Sequence, residues 1–267
     1  MTRHFEVVRS FARKDFRIAL SYRGTFIVGA VGIFYQLVIF RFVSKLVGGG
    51  RVLGTPDDYF RYVVVGIILT GILRAATSSA AANARRDQVE GTLEALATQP
   101  VPVATLGLGW SAWPVCEALV DGVLTLVIAV PLGFTELSPD WGPLIACLVL
   151  SVAVFLSIGF AAAALVVATQ QGGQIPGLIT AGLTLLSGAF FPIALLPGWL
   201  RVIANLSPLT WALRALRAST LPGVSTAGVA HDLAIVAGSA LVLLPISLIC
   251  LSLALRRARG TGRLATF

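Results

Sequence analysis

Apolar residues come in long blocks along this chain, and polar residues fall between them. No Asp, Glu, Lys or Arg occurs from Trp141 to Leu200. A helix needs roughly 20 apolar residues to cross the hydrocarbon core of a bilayer, so that run alone holds more than one crossing. Unpaired backbone groups are costly in lipid, which makes helices the expected form. A membrane β-barrel would show alternating segments of about ten residues, and the sequence has none. The blocks predict an all-α integral membrane protein with six transmembrane helices, at about 24–43, 59–80, 103–130, 142–168, 175–190 and 233–255.

The intervals carry their own patterns. Within residues 1–23, Arg3, Glu6, Arg9, Arg13, Lys14 and Arg17 share one helical arc, and Phe5, Val8, Phe11, Ala12, Phe16 and Ala19 share the other. A basic amphipathic helix with aromatic anchors suits a membrane interface. Gly48–Gly50 and Thr55-Pro56-Asp57-Asp58 signal turns after the first span. Residues 83–100 form the one strongly polar internal stretch, and 256–267 form an arginine-rich tail. The interval 191–220 holds Pro192, Pro197 and Pro208 with Trp199, Trp211, Arg201, Arg214 and Arg217. It is too broken to span and too apolar for a free loop, which predicts a re-entrant helical hairpin. Gly177, Ala181, Thr184 and Gly188 recur at helical spacing, a stripe that would let another helix approach closely.

Composition sharpens the class. Of 267 residues, 57% are hydrophobic and 12% charged, too little charge to cover a soluble surface. The formal charge of +8 fits basic flanks facing anionic lipid, since no soluble region is large enough to bind nucleic acid. Six basic residues precede the first span, Arg85 and Arg86 follow the second, and four arginines end the chain. With six spans these segments share one side, so both termini are expected in the cytoplasm of a cell-membrane protein. Cys116, Cys147 and Cys250 lie in apolar stretches without metal-ligand spacing and read as packing residues.

Catalytic motifs are missing. A phosphate-cradling loop needs GxxxxGK followed by Ser or Thr. Neither lysine, Lys14 or Lys45, follows such a loop, so no nucleotide hydrolysis is expected from this chain. Gly109-Trp110-Ser111-Ala112-Trp113 approaches a nucleophile elbow but lacks its final glycine. No bound cofactor or metal is expected.

Two groups of residues remain as functional candidates. Glu117 and Asp121 are four apart and share one face of the third span, with Arg74 of the second as a possible counter-ion. Carboxylates in a membrane face a partner or a cavity. They therefore either lock spans together or line a polar route, with Tyr35 and Gln36 as further route candidates. An ion-coupled carrier would use the carboxylates as a relay, but such folds show internal repeats with broken helices and none is evident. The second group is the polar stretch, where Glu90, Leu93 and Glu94 follow one another on helical faces and Gly91 gives a flexible start. A short helix there suits docking into a groove on a soluble partner.

Three stretches together resemble one family. Glu90-Gly91-Thr92-Leu93-Glu94-Ala95-Leu96 with Pro100 is similar to the cytoplasmic loop of ABC-2 type export permeases. Ser187-Gly188-Ala189-Phe190-Phe191-Pro192, Leu196-Pro197-Gly198-Trp199-Leu200 and Asn205–Thr210 resemble that family's segment after the fifth span. Lys14–Arg17 and Ser21–Arg23 fit its entry helix. The resemblance implies the permease subunit of an exporter, paired with a second permease copy or homologue and served by separate ATPase subunits that hold ATP and Mg. It implies that Arg86, Glu90, Gly91, Thr92, Leu93, Glu94 and Leu96 belong to an ATPase-coupling helix. The implied cargo is a hydrophobic or amphiphilic, drug-like or lipidic molecule, with a lipid-linked glycan as the alternative.

Overall fold

Helix α1 (Arg23–Val47) opens the computed structural model, which describes residues 23–47, 55–91, 102–134, 138–169, 174–221 and 228–260. It is followed by α2 (Pro56–Val89), α3 (Val103–Ala129), α4 (Trp141–Thr169), α5 (Ile175–Leu186), α6 (Gly198–Leu206), α7 (Pro208–Thr220) and α8 (Val229–Gly260). Single 3₁₀ turns lie at Val130–Leu132 and Ile193–Leu195. The expected interfacial helix, most of the coupling segment and the end of the tail fall at 1–22, 92–101 and 261–267, outside the described residues.

Five helices are long and apolar enough to cross a membrane: α1, α2, α3 with its 3₁₀ extension, α4 and α8. The fifth expected span, 175–190, is instead a helix of 12 residues. Its regular part would cover only about 18 Å, short of a bilayer core. It stops at Gly188, whose φ of +75° is a left-handed conformation natural to glycine.

Helix α2 is the hub, with α1, α3, α4, α5 and α7 packed on it. Its start is set by a capping box: Thr55 accepts from the Asp58 N–H, and the Asp58 carboxylate accepts from the Thr55 N–H. The Thr55–Asp58 cluster, expected as a turn, thus opens the helix. Nearly every turn of α2 then buries side chains, among them Phe60, Val63, Leu69, Ile72, Leu73 and Ala76. Close approach demands glycine at two points. A Cβ on Gly159 of α4 would strike the Ala76 carbonyl oxygen, and one on Gly66 would strike that of Ala189. Helix α8 lies against α4 and α7.

The expected second span ends near residue 80, yet α2 runs on to Val89. Asn83, Asp87 and Gln88 are tolerated because each meets a partner across the bundle. Gly91, expected as a flexible start, has φ +70° and ends α2, its N–H bonding the Gln88 carbonyl at 3.3 Å.

The interval 191–220 contains two short helices hinged at Ser207. Thr210 and Trp211 of α7 donate back to the Ala204 and Asn205 carbonyls at 2.6 and 2.7 Å, which fixes the hinge. Helix α7 is largely buried, whereas α6 turns Trp199, Val202, Ile203 and Leu206 outward.

Candidate functional site

Helices α1, α2, α3 and α5 line an open cavity of about 870 Å³. Helix α2 contributes Arg74, Thr70, Ser78 and Ser79, and α3 contributes Glu117, Asp121 and Thr125. Gln36 enters from α1, and Thr180 and Thr184 from α5, with Ile33, Ile67, Ile68, Leu185 and Phe190 as apolar wall. The charged residues belong to the middle turns of their helices, far from either end. The size is that of a small-molecule site, and a few polar groups on an apolar wall are its usual lining.

Four of the five intramembrane candidates meet in this cavity: Arg74, Glu117, Asp121 and Gln36. Tyr35 does not line it; it lies on the outer surface of α1, 67% exposed. One residue along a helix is a rotation of about 100°, enough to separate neighbours. Among the described residues, no ion pair within 4.0 Å joins Arg74 to Glu117 or Asp121. The three charges face shared space. Hydroxyls of Thr70, Thr125 and Thr180 bond carbonyls on their own helices and so soften the wall without crossing it. The small-residue stripe of α5 faces the same space: Gly177, Ala181 and Thr184 line the cavity, and a Cβ on Gly177 would meet nothing within 4 Å.

A second polar group ties together one end of the bundle. The Trp110 indole donates to the Asp87 carboxylate at 2.8 Å, and Asn83 donates to the Trp110 carbonyl at 2.7 Å. Gln88 reaches the Val167 carbonyl at 3.4 Å. These bonds fasten the exit of α2 to the start of α3 and the end of α4. Arg86 and Glu90 are one turn apart on the exposed side of that exit, and Gly91 closes it. Thr92, Leu93, Glu94 and Leu96 lie outside the described residues. Trp110 and Asp87 were missed in the sequence. The only signal was the near-elbow around Ser111, and Ser111 is buried.

The opposite end is held by Arg217 of α7. Its guanidinium donates to the carbonyls of Tyr62, Gly188 and Ala189 at 3.2, 3.1 and 3.0 Å and stacks 3.4 Å from the centre of the Tyr62 ring. The Tyr62 hydroxyl donates to Gly188 at 2.7 Å, and that of Tyr59 to Phe190 at 3.1 Å. A cation placed at the end of α5 matches the partial negative charge of a helix C-terminus. Burial pulls the Arg217 pKa down to about 10, so the group is still charged at neutral pH.

Such a molecule is a multi-span helical membrane protein built around a polar cavity. The chain belongs to the ABC-2 type transporter family, whose model matches residues 8–221. Similar proteins include Nodulation protein J of Sinorhizobium fredii, 27% identical over 178 residues, covering 64% of this chain and 65% of that protein. The inner membrane transport permease YadH of Escherichia coli K12 is 25% identical over 178 residues, covering 64% and 69%. Nodulation protein J of Rhizobium leguminosarum bv. trifolii is 28% identical over 172 residues, covering 63% of each. The chain therefore matches just under two thirds of the length of the nodulation proteins.

Proposed function

We propose that this chain is the permease subunit of an ATP-driven exporter, moving a hydrophobic or amphiphilic molecule out of the cell. The single observation that carries the reading is the charged cavity between α1, α2, α3 and α5 in a chain of the ABC-2 family. The chain has no phosphate loop of its own, so ATP and Mg are held by a separate ATPase subunit. That subunit docks against the exposed Arg86–Glu90 turn and the segment after Gly91. The Trp110–Asp87 and Asn83 bonds then pass its movement to α2 and α3 together. A second copy or homologue of the permease completes the transporter.

The proposed topology has six crossings with both termini in the cytoplasm. Its support is a pair of contacts at opposite ends of α2. Gln88 bonds Val167, and Tyr62 bonds Gly188. Those α2 positions are about 39 Å apart at 1.5 Å per residue, so the chain returns along α2 between Val167 and Gly188. The short α5 and the turn that follows it through Phe190 make the fifth crossing together. The α6–α7 hairpin then belongs to the outer face. Its end is joined to the α3–α4 connection by the Ser138 and Asp140 N–H groups, which donate to the Thr220 and Ser219 carbonyls.

Co-expression with the candidate ATPase subunit tests the reading. A stable complex in mild detergent, whose vesicles move an amphiphile only with ATP, is the expected result. A permease that binds no ATPase, or that transports alone on a pH gradient, would overturn it.

A further inference from the structure

The geometry points to a cargo class: the cavity selects an amphiphile bearing a protonated amine. This rests on the exporter reading for its direction of transport, but the binding chemistry stands on the cavity alone. Glu117 and Asp121 lie one turn apart on α3 and open into the same space as Arg74 of α2. Among the described residues, these three are the charged side chains that line it, so two carboxyl groups share one guanidinium. No side chain supplies a second cation within ion-pair distance. An unmatched carboxylate in the middle of a membrane helix costs several kcal/mol unless a cation or water meets it. A bound ammonium supplies that match and gains from the low dielectric around it.

The rest of the wall sets the remainder of the ligand. Ile33, Ile67, Ile68, Leu185 and Phe190 offer apolar contact for an alkyl or aryl body. Arg74 opposes a second cationic centre close to its side of the cavity and accepts an anionic group there. A free amine and an aminophospholipid headgroup share this chemistry. The lipid differs in offering a phosphate to Arg74.

The test measures binding to the purified permease in nanodiscs of phosphatidylglycerol. The probe is a fluorescent long-chain alkylammonium, compared with the alcohol and the sulfate of equal chain length. The ammonium is expected to bind about tenfold tighter than the alcohol, and the sulfate weakest. Glu117→Gln with Asp121→Asn should erase the ammonium's advantage while alcohol binding is kept, which also shows that the variant folds. Arg74→Gln should tighten ammonium binding a fewfold. Competition by phosphatidylethanolamine would identify a lipid headgroup as one source, and its failure would leave the free amine; both support the cavity's selectivity. Equal affinity for the three probes, or a cation preference that survives the double variant, overturns the inference. Loss of ATPase association with cation selectivity intact would defeat the exporter reading and leave this one standing. The reverse result would do the opposite.

Discussion

The Arg217 guanidinium joins backbone carbonyls of α2 and of the turn after α5. It holds the carbonyls of Tyr62, Gly188 and Ala189 where α5 ends and the chain turns, and the Tyr62 hydroxyl shares the Gly188 carbonyl with it. Arg217→Met should lower stability by about 1.5–3 kcal/mol, the scale of a hydrogen bond from a charged group. Arg217→Lys should recover part of this, because lysine keeps the charge but not the planar fork. Thermal unfolding in nanodiscs reads the order wild type, Lys, Met; an unchanged midpoint for Met would show that the clamp does not hold the turn. Glycines supply a contrasting pair. Gly159→Ala drives a Cβ into the Ala76 carbonyl where α4 crosses α2, and should cost about 1–3 kcal/mol. Gly177→Ala points into open space and should be neutral, or stabilising by up to about 1 kcal/mol through helix propensity. Reversal of that order in the same assay would contradict the packing described for α4.

Between elements, the decisive contacts are those that bind the exit of α2 to α3. Trp110→Phe keeps the aromatic bulk and removes the donor to Asp87. A net buried hydrogen bond of about 1 kcal/mol is roughly a fivefold factor in an equilibrium. The expected outcome is a complex that still binds its ATPase but moves about fivefold less cargo per ATP. Asp87→Asn, which can still accept from the indole, should lose less. Parallel loss of ATPase binding would mean that Trp110 only stabilises the docking face. This contact also shows where sequence reading stops. The apolar blocks reveal five of the helices and the shared face of Glu117 and Asp121, because both follow from spacing along one chain segment. The bond from Trp110 to Asp87, like that from Arg217 to Tyr62, joins residues far apart in sequence. No local pattern encodes it. The same limit explains two displaced boundaries. Helix α2 outruns its expected end because distant partners satisfy Asn83, Asp87 and Gln88, and α5 stops short because Gly188 takes a left-handed turn.

For the whole molecule, the number of crossings fixes which face meets the cell interior, and side-specific labelling measures it. Contacts at the two ends of α2 divide the connections into two sets. Glu90, Gly91 and the end of α4 belong with Gln88, whereas Gly188, Phe190, Ser138 and Thr220 belong with the opposite end. If α5 and its extension cross the bilayer, Leu195 is on the side of Ser138 and away from Val89. All three are exposed and suit a cysteine. The native thiols must first be replaced: Cys116 and Cys250 are exposed, while Cys147 is buried against the Ala212 carbonyl and is best exchanged for alanine. In that background Ser138→Cys and Leu195→Cys should react with a membrane-impermeant maleimide on intact cells. Val89→Cys should react only after permeabilisation. If Leu195→Cys behaved like Val89→Cys, α5 would be a dead-end insertion into the bundle, the hairpin would face the cytoplasm, and the C-terminal arginines would lie outside. That arrangement would set ten basic residues of the two termini on opposite faces. A cell that retains positive charge on its cytoplasmic side disfavours it, because both clusters would then compete for the same leaflet.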